Sequence, residues 1–289
     1  MVRSPASLIF HLPKFVFRNP DKPIIFFEDR AAQIYFSRIG NELISIDNAP
    51  FGSFMINDEL TKDDLSSCLK KITLWSQANG ITSVVIRSFP EIYNSKNSAL
   101  TKQALLASGF DILCEDVAQI VNITESGLNV NTHKKRRLRK AQTMDFSFRE
   151  LQPDLLKDGY ALIVETRQKK GYPVTMSLEG LQRMFDLFPD DYLLFGVLDK
   201  NQLIAASVCI KINPEILYCF YIGDDLEYRP YSPVTSLVNG IYDFCKDHHF
   251  KILDLGISTE KGKLNKGLYT FKKSFGSVDS YKLTFLKQL

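Results

Sequence analysis

The chain has 289 residues, of which 45% are hydrophobic and 24% are charged, with a formal net charge of +3 at pH 7. These values are ordinary for a globular protein with full cores, and they exclude an intrinsically disordered chain. The small net charge does not require a polyanionic partner, so a phosphate or nucleic-acid site must be sought in local clusters of basic residues. The length favours two domains of about 140 residues each.

Cysteine usage and hydropathy indicate where the protein works. Five cysteines show no C-x-x-C spacing, and most lie in apolar runs, where free cysteine behaves as a small hydrophobic residue. The N-terminal segment is interrupted by His11, Pro13 and Lys14, and no later stretch approaches about 18 apolar residues. The sequence therefore predicts a cytoplasmic protein with reduced thiols and no membrane span. The histidines show no ligand spacing, so no metal is predicted.

In the first half of the chain, strands alternate with helices. The predicted strands are 24–27, 33–37, 42–46, 81–87 and 117–123, and the predicted helices are 62–79 and 100–108. Apolar residues at helical spacing define the longer helix, and Gly80 ends it. The turn at 38–41 marks a hairpin.

The second half repeats this order, with additions at its front. Helices are predicted at 154–171, 178–188 and 233–246, and strands at 193–198, 203–212, 216–222, 251–257 and 280–286. Ser232 is the expected N-cap of the third helix, with Pro233 at its first helical position. The repeated order predicts two copies of one α/β fold, in domains comprising residues 1–130 and 131–289.

A short motif near the C-terminus, LNKGLYTFKKSFG at 264–276, is the best candidate for a reactive site. Leu268, Phe271 and Phe275 have the spacing of one buried helix face, and Lys272 is expected to point away from it. A lysine beside Phe271 at the mouth of a cleft would be a fixed cation for a carbonyl oxygen. The alternative is an amphipathic helix with a solvated lysine.

A second motif, THKKRRLRKAQ at 132–142, contains six basic residues within seven positions and no acidic residue. On a helix, only Leu138 and Ala141 could anchor it, so the repulsion must be relieved by water or by an anion. We expect an exposed helix whose basic face borders the cleft. The phosphate-binding candidates are Arg136, Arg137, Arg139 and Lys140. A purely solvated face is the other interpretation.

The C-terminal motif resembles the end of the Fem-type transferases, which belong to the GNAT superfamily. The family pattern is a strand ending in D-x-G, followed by N-x-G-L-x-x-F-K-x-x-F-G. Here the D-x-G is Asp254-Leu255-Gly256, and the second run reads Asn265, Gly267, Leu268, Phe271, Lys272, Phe275 and Gly276. The basic motif is also similar to an R-x-x-x-K-A run that opens the second domain in that family, through Arg136, Lys140 and Ala141.

This resemblance implies an α/β (α+β) architecture of tandem GNAT-like acyltransferase folds, each a mixed, mostly antiparallel sheet flanked by helices. It implies an N-acyltransferase that uses acetyl-CoA, another acyl-CoA or an aminoacyl-tRNA as donor. The implied acceptor is an amine on a small molecule or on a cell-wall-precursor-like molecule. Lys272 with Phe271 would be the catalytic pair, and the basic motif would face phosphate-bearing substrates, tRNA among them.

One departure from ordinary GNAT proteins concerns coenzyme A. Their glycine-rich phosphate loop should precede the helix at Pro233, where this chain has Tyr228-Arg229-Pro230-Tyr231-Ser232. Proline and tyrosine restrict close approach of a phosphate, which argues against the usual mode of binding. Arg229 could instead hold a phosphate or carboxylate, or it could cap a turn.

Tyr231 and Ser232 are further substrate-binding candidates, and Tyr221 is expected to face the cleft. The missing glycine loop slightly favours a second hypothesis, a non-catalytic phosphate- or nucleic-acid-binding protein built on a degenerate transferase fold.

Overall fold

The structure is a computed structural model that describes residues 4–289, apart from the side chain of Gln142. The chain forms two compact units. Unit 1 comprises the chain up to Ala118 together with Ile257–Asn265 and Asp279–Leu289. Unit 2 comprises Gln119–Gly256 and Lys266–Val278. Both units are thus assembled from alternating segments of the chain, and the single boundary near residue 130 stays a prediction.

The α-helices and strands follow one another in a mixed α/β order. The first elements are α1 Pro13–Val16, β1 Ile24–Asp29, β2 Ala32–Ile39, β3 Glu42–Ile44, α2 Lys62–Ala78, β4 Ser83–Arg87, α3 Ser95–Ala107 and β5 Asp111–Asn122. They are followed by α4 Thr132–Gln142, β6 Phe146–Leu151, α5 Leu156–Lys169, α6 Leu178–Leu187, β7 Tyr192–Asp199, β8 Gln202–Asn213 and β9 Ile216–Asp224. The last are α7 Pro233–Asp247, β10 Ile252–Ile257, β11 Thr259–Glu260, β12 Lys263–Leu264, α8 Lys266–Lys273 and β13 Val278–Gln288.

Unit 1 is built on a mixed sheet covered by helix α2. Strands β1, β2 and β3 pair antiparallel in turn, β3 and β4 are parallel, and β13 pairs antiparallel with β4. The last strand of the chain therefore completes unit 1, although it follows α8 of unit 2. Leu65, Leu69 and Ile72 bury the inner face of α2, as their spacing predicts.

The strands of unit 2 also pair in a mixed arrangement. Strands β6, β7, β8 and β9 pair antiparallel in turn, and β10 is parallel to β9. The end of β5 lies on the other side of β10, where the N–H of Ile123 donates to the carbonyl of Lys251 at 2.9 Å. Helix α7 connects β9 to β10 and buries Leu237, Val238 and Ile241 in the core.

The observed elements confirm the predicted fold class, a mixed, mostly antiparallel α/β architecture flanked by helices. Strand β6 was missed, although Phe146 and Phe148 alternate with polar residues there. Helix α3 begins at Ser95, earlier than predicted, because the side chain of Asn94 accepts a hydrogen bond from the N–H of Asn97 at 2.9 Å and caps the helix.

Candidate functional site

Lys272 lies inside unit 2 and not on its surface. Its residue is only 7% exposed, and its ammonium donates to the carbonyl oxygen of Gly256 at 2.9 Å. The alternative of a solvated lysine is therefore wrong, and so is the expectation that Lys272 points away from the buried side of the helix. Of the apolar stripe, Phe275 is fully buried, but Leu268 and Phe271 are half-buried, so helix α8 is turned to bury Lys272 beside Phe275.

The D-x-G turn at the end of β10 positions this lysine. The carboxylate of Asp254 accepts a hydrogen bond from the N–H of Gly256 at 2.6 Å. Gly256 has φ of +78°, in the left-handed region that favours glycine, and a Cβ there would lie 3.8 Å from the Lys272 ammonium. The paired register between β10 and β9 ends at Asp254 and Tyr218. Just beyond this last pair, the carbonyl oxygen of Gly256 accepts the hydrogen bond from the Lys272 ammonium.

The surroundings of Lys272 are poorly solvated. Burial lowers the pKa of Lys272 to about 8, while the charge of Asp254 and the thiol of Cys219 oppose this effect. Burial also raises the pKa of Tyr218, and the hydrogen bond with Cys209 together with burial raises the pKa of the Cys219 thiol. At neutral pH the lysine is therefore mostly protonated, whereas the neighbouring phenol and thiol are neutral.

A second buried lysine, Lys134, lies against the same helix. Its residue is 2% exposed, and its ammonium is 4.2 Å from the ring centres of both Phe271 and Phe275. Burial, and secondarily the charge of Arg137, lower the pKa of Lys134 to about 8. The cation held over the Phe271 ring is thus Lys134, where we had expected Lys272.

Sequence reasoning missed Lys134 because it took only Leu138 and Ala141 as the anchoring face of the helix. The signal was present in the spacing. Lys134, Leu138 and Ala141 lie at i, i+4 and i+7, and together they form the inner face of helix α4. The lysine stem contributes apolar contact on that face.

Helix α4 begins and ends where the sequence predicts, and its start is joined to the C-terminal motif. The side chain of Asn131 accepts from the N–H of Lys134 at 2.8 Å, and the Asn131 N–H donates to the carbonyl of Ser274 at 3.2 Å. Gly276 has φ of +74°, and a Cβ there would lie 2.2 Å from the carbonyl oxygen of Asn129. The two motifs found in the sequence are therefore parts of one structure.

The remaining basic residues of α4 form an exposed surface, which we call the basic face. Its members are Lys135, Arg136, Arg137, Arg139 and Lys140. In the part of the chain that the structure describes, no carboxylate forms an ion pair with any of them. The ammonium of Lys140 donates to the carbonyl of Pro230 at 3.3 Å and lies 5.4 Å from the ring centre of Tyr231. The end of α4 therefore contacts the segment before α7.

The start of α7 does not offer a phosphate loop. Arg229 forms a bidentate pair with the buried carboxylate of Asp224, at 3.0 and 3.1 Å, so a ligand would have to displace that carboxylate. Ser232 occupies the expected N-cap position, but it has φ of +60° and its side chain makes no capping hydrogen bond. Pro233 has no N–H. These residues do not fit a coenzyme A diphosphate held by main-chain N–H groups.

The side chain of Tyr221 is also hydrogen-bonded inside unit 2. It is buried, and its hydroxyl oxygen accepts from the N–H groups of Thr175 and Met176, each at 3.1 Å. Its hydroxyl therefore fixes the segment before α6 and does not face open space. Thus the fold groups Lys272, Phe271 and Lys134, and separately Lys140 and Tyr231, while Arg229 and Tyr221 are engaged elsewhere.

Two further features of residues 4–289 concern metals and membranes. No group of three or more His, Cys, Asp or Glu side chains in that range is placed to hold a metal ion. No helix within it is both long enough and apolar enough to cross a membrane.

Comparison with known proteins gives matches among solved structures. No protein-family model and no curated protein matches this sequence. The crystal structure of FemX superposes with a TM-score of 0.73 at 14% identity, covering 99% of this chain and 94% of that one. The C-terminal domain of a predicted lysylphosphatidylglycerol synthetase from Agrobacterium fabrum gives a TM-score of 0.62 at 11% identity, covering 98% and 87%. L-PGS from Bacillus licheniformis gives 0.61 at 14% identity, covering 92% and 83%.

These similarities define the class of fold. The chain shares the mixed α/β, GNAT-like fold of these three structures. Within that class its fold is Fem-type, which confirms the resemblance first seen in the C-terminal motif.

Proposed function

We propose that this protein is an N-acyltransferase that moves an activated acyl or aminoacyl group to an amine acceptor. The observation that carries the proposal is the buried ammonium of Lys272, hydrogen-bonded to Gly256 at 2.9 Å beside a buried carboxylate, Asp254. A fixed cation in a poorly solvated site can stabilise negative charge strongly, because little water competes with it. The Fem-type fold supports the same conclusion.

The reaction is aminolysis of an activated carbonyl. The amine nitrogen attacks the carbonyl carbon, a C–N bond forms, and the C–S bond of a thioester or the C–O bond of an aminoacyl ester breaks. The amine loses a proton, and the leaving thiol or hydroxyl gains one. Negative charge develops on the carbonyl oxygen, and we assign the contact with that oxygen to Lys272. Phe271 contacts the Lys134 ammonium, and this contact orients helix α8, on which Lys272 lies.

The donor is proposed to be an aminoacyl-tRNA or an acyl-CoA, and the basic face of α4 is proposed to hold its phosphates. The start of α7 does not suit a coenzyme A diphosphate, whereas the basic face suits a chain of phosphates. We therefore favour aminoacyl-tRNA. The proposed acceptor is an amine on a small molecule or a cell-wall-precursor-like molecule, with Tyr231 and Ser232 as secondary candidates for contacts in this region.

We place the reaction in the predicted C-terminal domain, residues 131–289, because Lys272 and the basic face both lie there. The proposed compartment is the cytoplasm. All five cysteines are free, and a reducing compartment keeps thiols in that form.

The experiment offers the purified protein two donors, radiolabelled acetyl-CoA and a mixture of radiolabelled aminoacyl-tRNAs, with pooled amine acceptors. Transfer that depends on Lys272 supports the proposal. Lys273→Met is the matched control, because Lys273 is the next residue and its ammonium lies 5.8 Å from the ring centre of Tyr269. Consumption of neither donor would count against the proposed function, and full transfer by Lys272→Met would reject the role assigned to Lys272.

A non-catalytic phosphate- or RNA-binding role is the second candidate. It is favoured by the five exposed cations of α4, for which no carboxylate partner is found in the described chain. Binding of a single-stranded RNA, followed by fluorescence anisotropy at 50 and 200 mM salt, would fall steeply with salt. RNA affinity that depends steeply on salt, with no turnover of either donor, would support this non-catalytic role.

A further inference from the structure

Asp254 and Lys272 are linked by the peptide unit of Gly256. The Asp254 carboxylate accepts the Gly256 N–H at 2.6 Å, and the Gly256 carbonyl accepts the Lys272 ammonium at 2.9 Å. Both side chains are buried, and Gly256 is held in the left-handed conformation with φ of +78°. An anion and a cation are therefore placed on the N–H and C=O groups of one fixed residue.

Two strands place titratable groups near Lys272. Asp254 belongs to β10, and Tyr218 and Cys219 belong to β9. Burial works against the charged lysine and keeps the phenol and the thiol neutral. Of these three neighbours, the carboxylate is thus the one that carries a compensating charge at neutral pH.

We propose that Asp254 is the positioning residue for Lys272, holding its ammonium protonated through charge and aiming it through the Gly256 carbonyl. Without the carboxylate, a buried lysine would lose its proton near neutral pH and the aim of the Gly256 carbonyl would be lost. The proposal deepens the acyl-transfer function and rests on it for the catalytic consequence. The charge relationship itself can be measured without any substrate.

The test is an NMR titration of Lys272 in full-length protein labelled with ¹³C and ¹⁵N at lysine Cε and Nζ. The Lys272 signal is assigned by its absence in Lys272→Met. In the wild type it should titrate with a pKa of about 8. In Asp254→Asn, which keeps the shape and an oxygen acceptor, the midpoint should fall by at least about one pH unit. Asp224→Asn removes another buried carboxylate, the partner of Arg229, and should leave the Lys272 midpoint unchanged.

An unchanged Lys272 midpoint in folded Asp254→Asn, or an equal fall in Asp224→Asn, would overturn the proposal. If Asp254→Asn is too unstable to titrate, the urea midpoints of unfolding are compared with and without Lys272. The loss caused by Asp254→Asn should be smaller in a Lys272→Met background, because no buried cation is left uncompensated there. Equal losses in both backgrounds would overturn it.

The two proposals fail separately. A lowered midpoint in Asp254→Asn, together with no consumption of either donor by the wild type, would retain the positioning role and reject the proposed function. Where transfer is found, Asp254→Asn should lower its rate at pH 8 more than at pH 6. A purely structural loss would reduce the rate equally at both values.

Discussion

The ammonium nitrogen of Lys134 lies 4.2 Å from the ring centre of Phe271. Lys134 lies in the first turn of helix α4, and Phe271 directly precedes Lys272 on α8. This contact therefore joins the basic motif to the C-terminal motif. A cation over an aromatic face is worth about 2 kcal/mol or more when desolvated, which is enough to fix the start of α4. The basic face is therefore held in a set orientation relative to α8 within unit 2.

Lys134→Met should change the pH dependence of stability. The folded-state pKa of Lys134, about 8, is below its ordinary value of 10.5, so the unfolded chain binds more protons between those values. The wild type should therefore gain stability relative to Lys134→Met as pH rises, by about 1.4 kcal/mol at pH 9 compared with pH 7. Urea unfolding of both proteins at the two pH values measures this gain. Lys135→Met, on the exposed side of α4, should show no such change, and a pH-independent gap for Lys134→Met would contradict the assignment.

Phe275→Ala should be strongly destabilising, because this ring is fully buried at the end of α8. We expect a loss of about 3 to 5 kcal/mol in the free energy of unfolding. Phe271→Ala provides the comparison, since that ring is half-buried and should cost less. Denaturant melts of both variants check the order, and a larger loss for Phe271→Ala would be inconsistent with the burial described here.

The transfer rate should depend on protonated Lys272. Because its folded-state pKa is about 8, the rate at saturating substrate should be level below that pH and fall above it as the ammonium loses its proton. Lys272→Met should reduce the rate by about 100-fold or more, following the scale of oxyanion donors. A pH–rate profile from 6 to 10 measures the fall. A rate that rises through pH 8 would instead require neutral Lys272, as a base.

Charge removal from the basic face should weaken binding of phosphate-bearing ligands. Arg136→Ala combined with Arg137→Ala should lower RNA affinity several-fold at low salt, and the slope of log affinity against log salt should decrease by about 1 for each phosphate that the protein no longer neutralises. The control is Lys62→Ala with Lys70→Ala, which removes the same charge from exposed positions on α2. Equal effects of the two pairs, or none from the first, would leave a solvated face.

Gly276→Ala should separate the start of α4 from the C-terminal motif. The new Cβ would lie 2.2 Å from the Asn129 carbonyl, so the backbone must move in addition to bearing a strained positive φ. Gly127→Ala is the matched control, because Gly127 has φ of +83° with no atom within 4 Å of the added carbon. The strain of the left-handed conformation, about 1 to 3 kcal/mol, is common to both variants. Thermal unfolding should show a clearly larger loss for Gly276→Ala, and equal losses would exclude the close contact.

Local pattern in the sequence determined most elements of this fold. The spacing of Leu65, Leu69 and Ile72 predicted α2, and the basic motif predicted α4 with its observed bounds. These predictions succeed because periodicity sets which face of an element is apolar, and the N-cap and C-terminal signals are local. The order of elements and the C-terminal motif then predicted the Fem-type fold.

The tertiary structure alone decided which charged side chains are buried. Lys134 and Lys272 look like ordinary surface lysines in a helical pattern. Yet Phe271 and Phe275, distant in sequence, cover Lys134, and the Gly256 carbonyl, also distant in sequence, binds Lys272. Burial of a charge depends on partners that are distant in sequence, and periodicity contains no information about them. Periodicity also does not show that β13 pairs with β4 and so completes unit 1. Nor does it show that Arg229 forms an ion pair with Asp224.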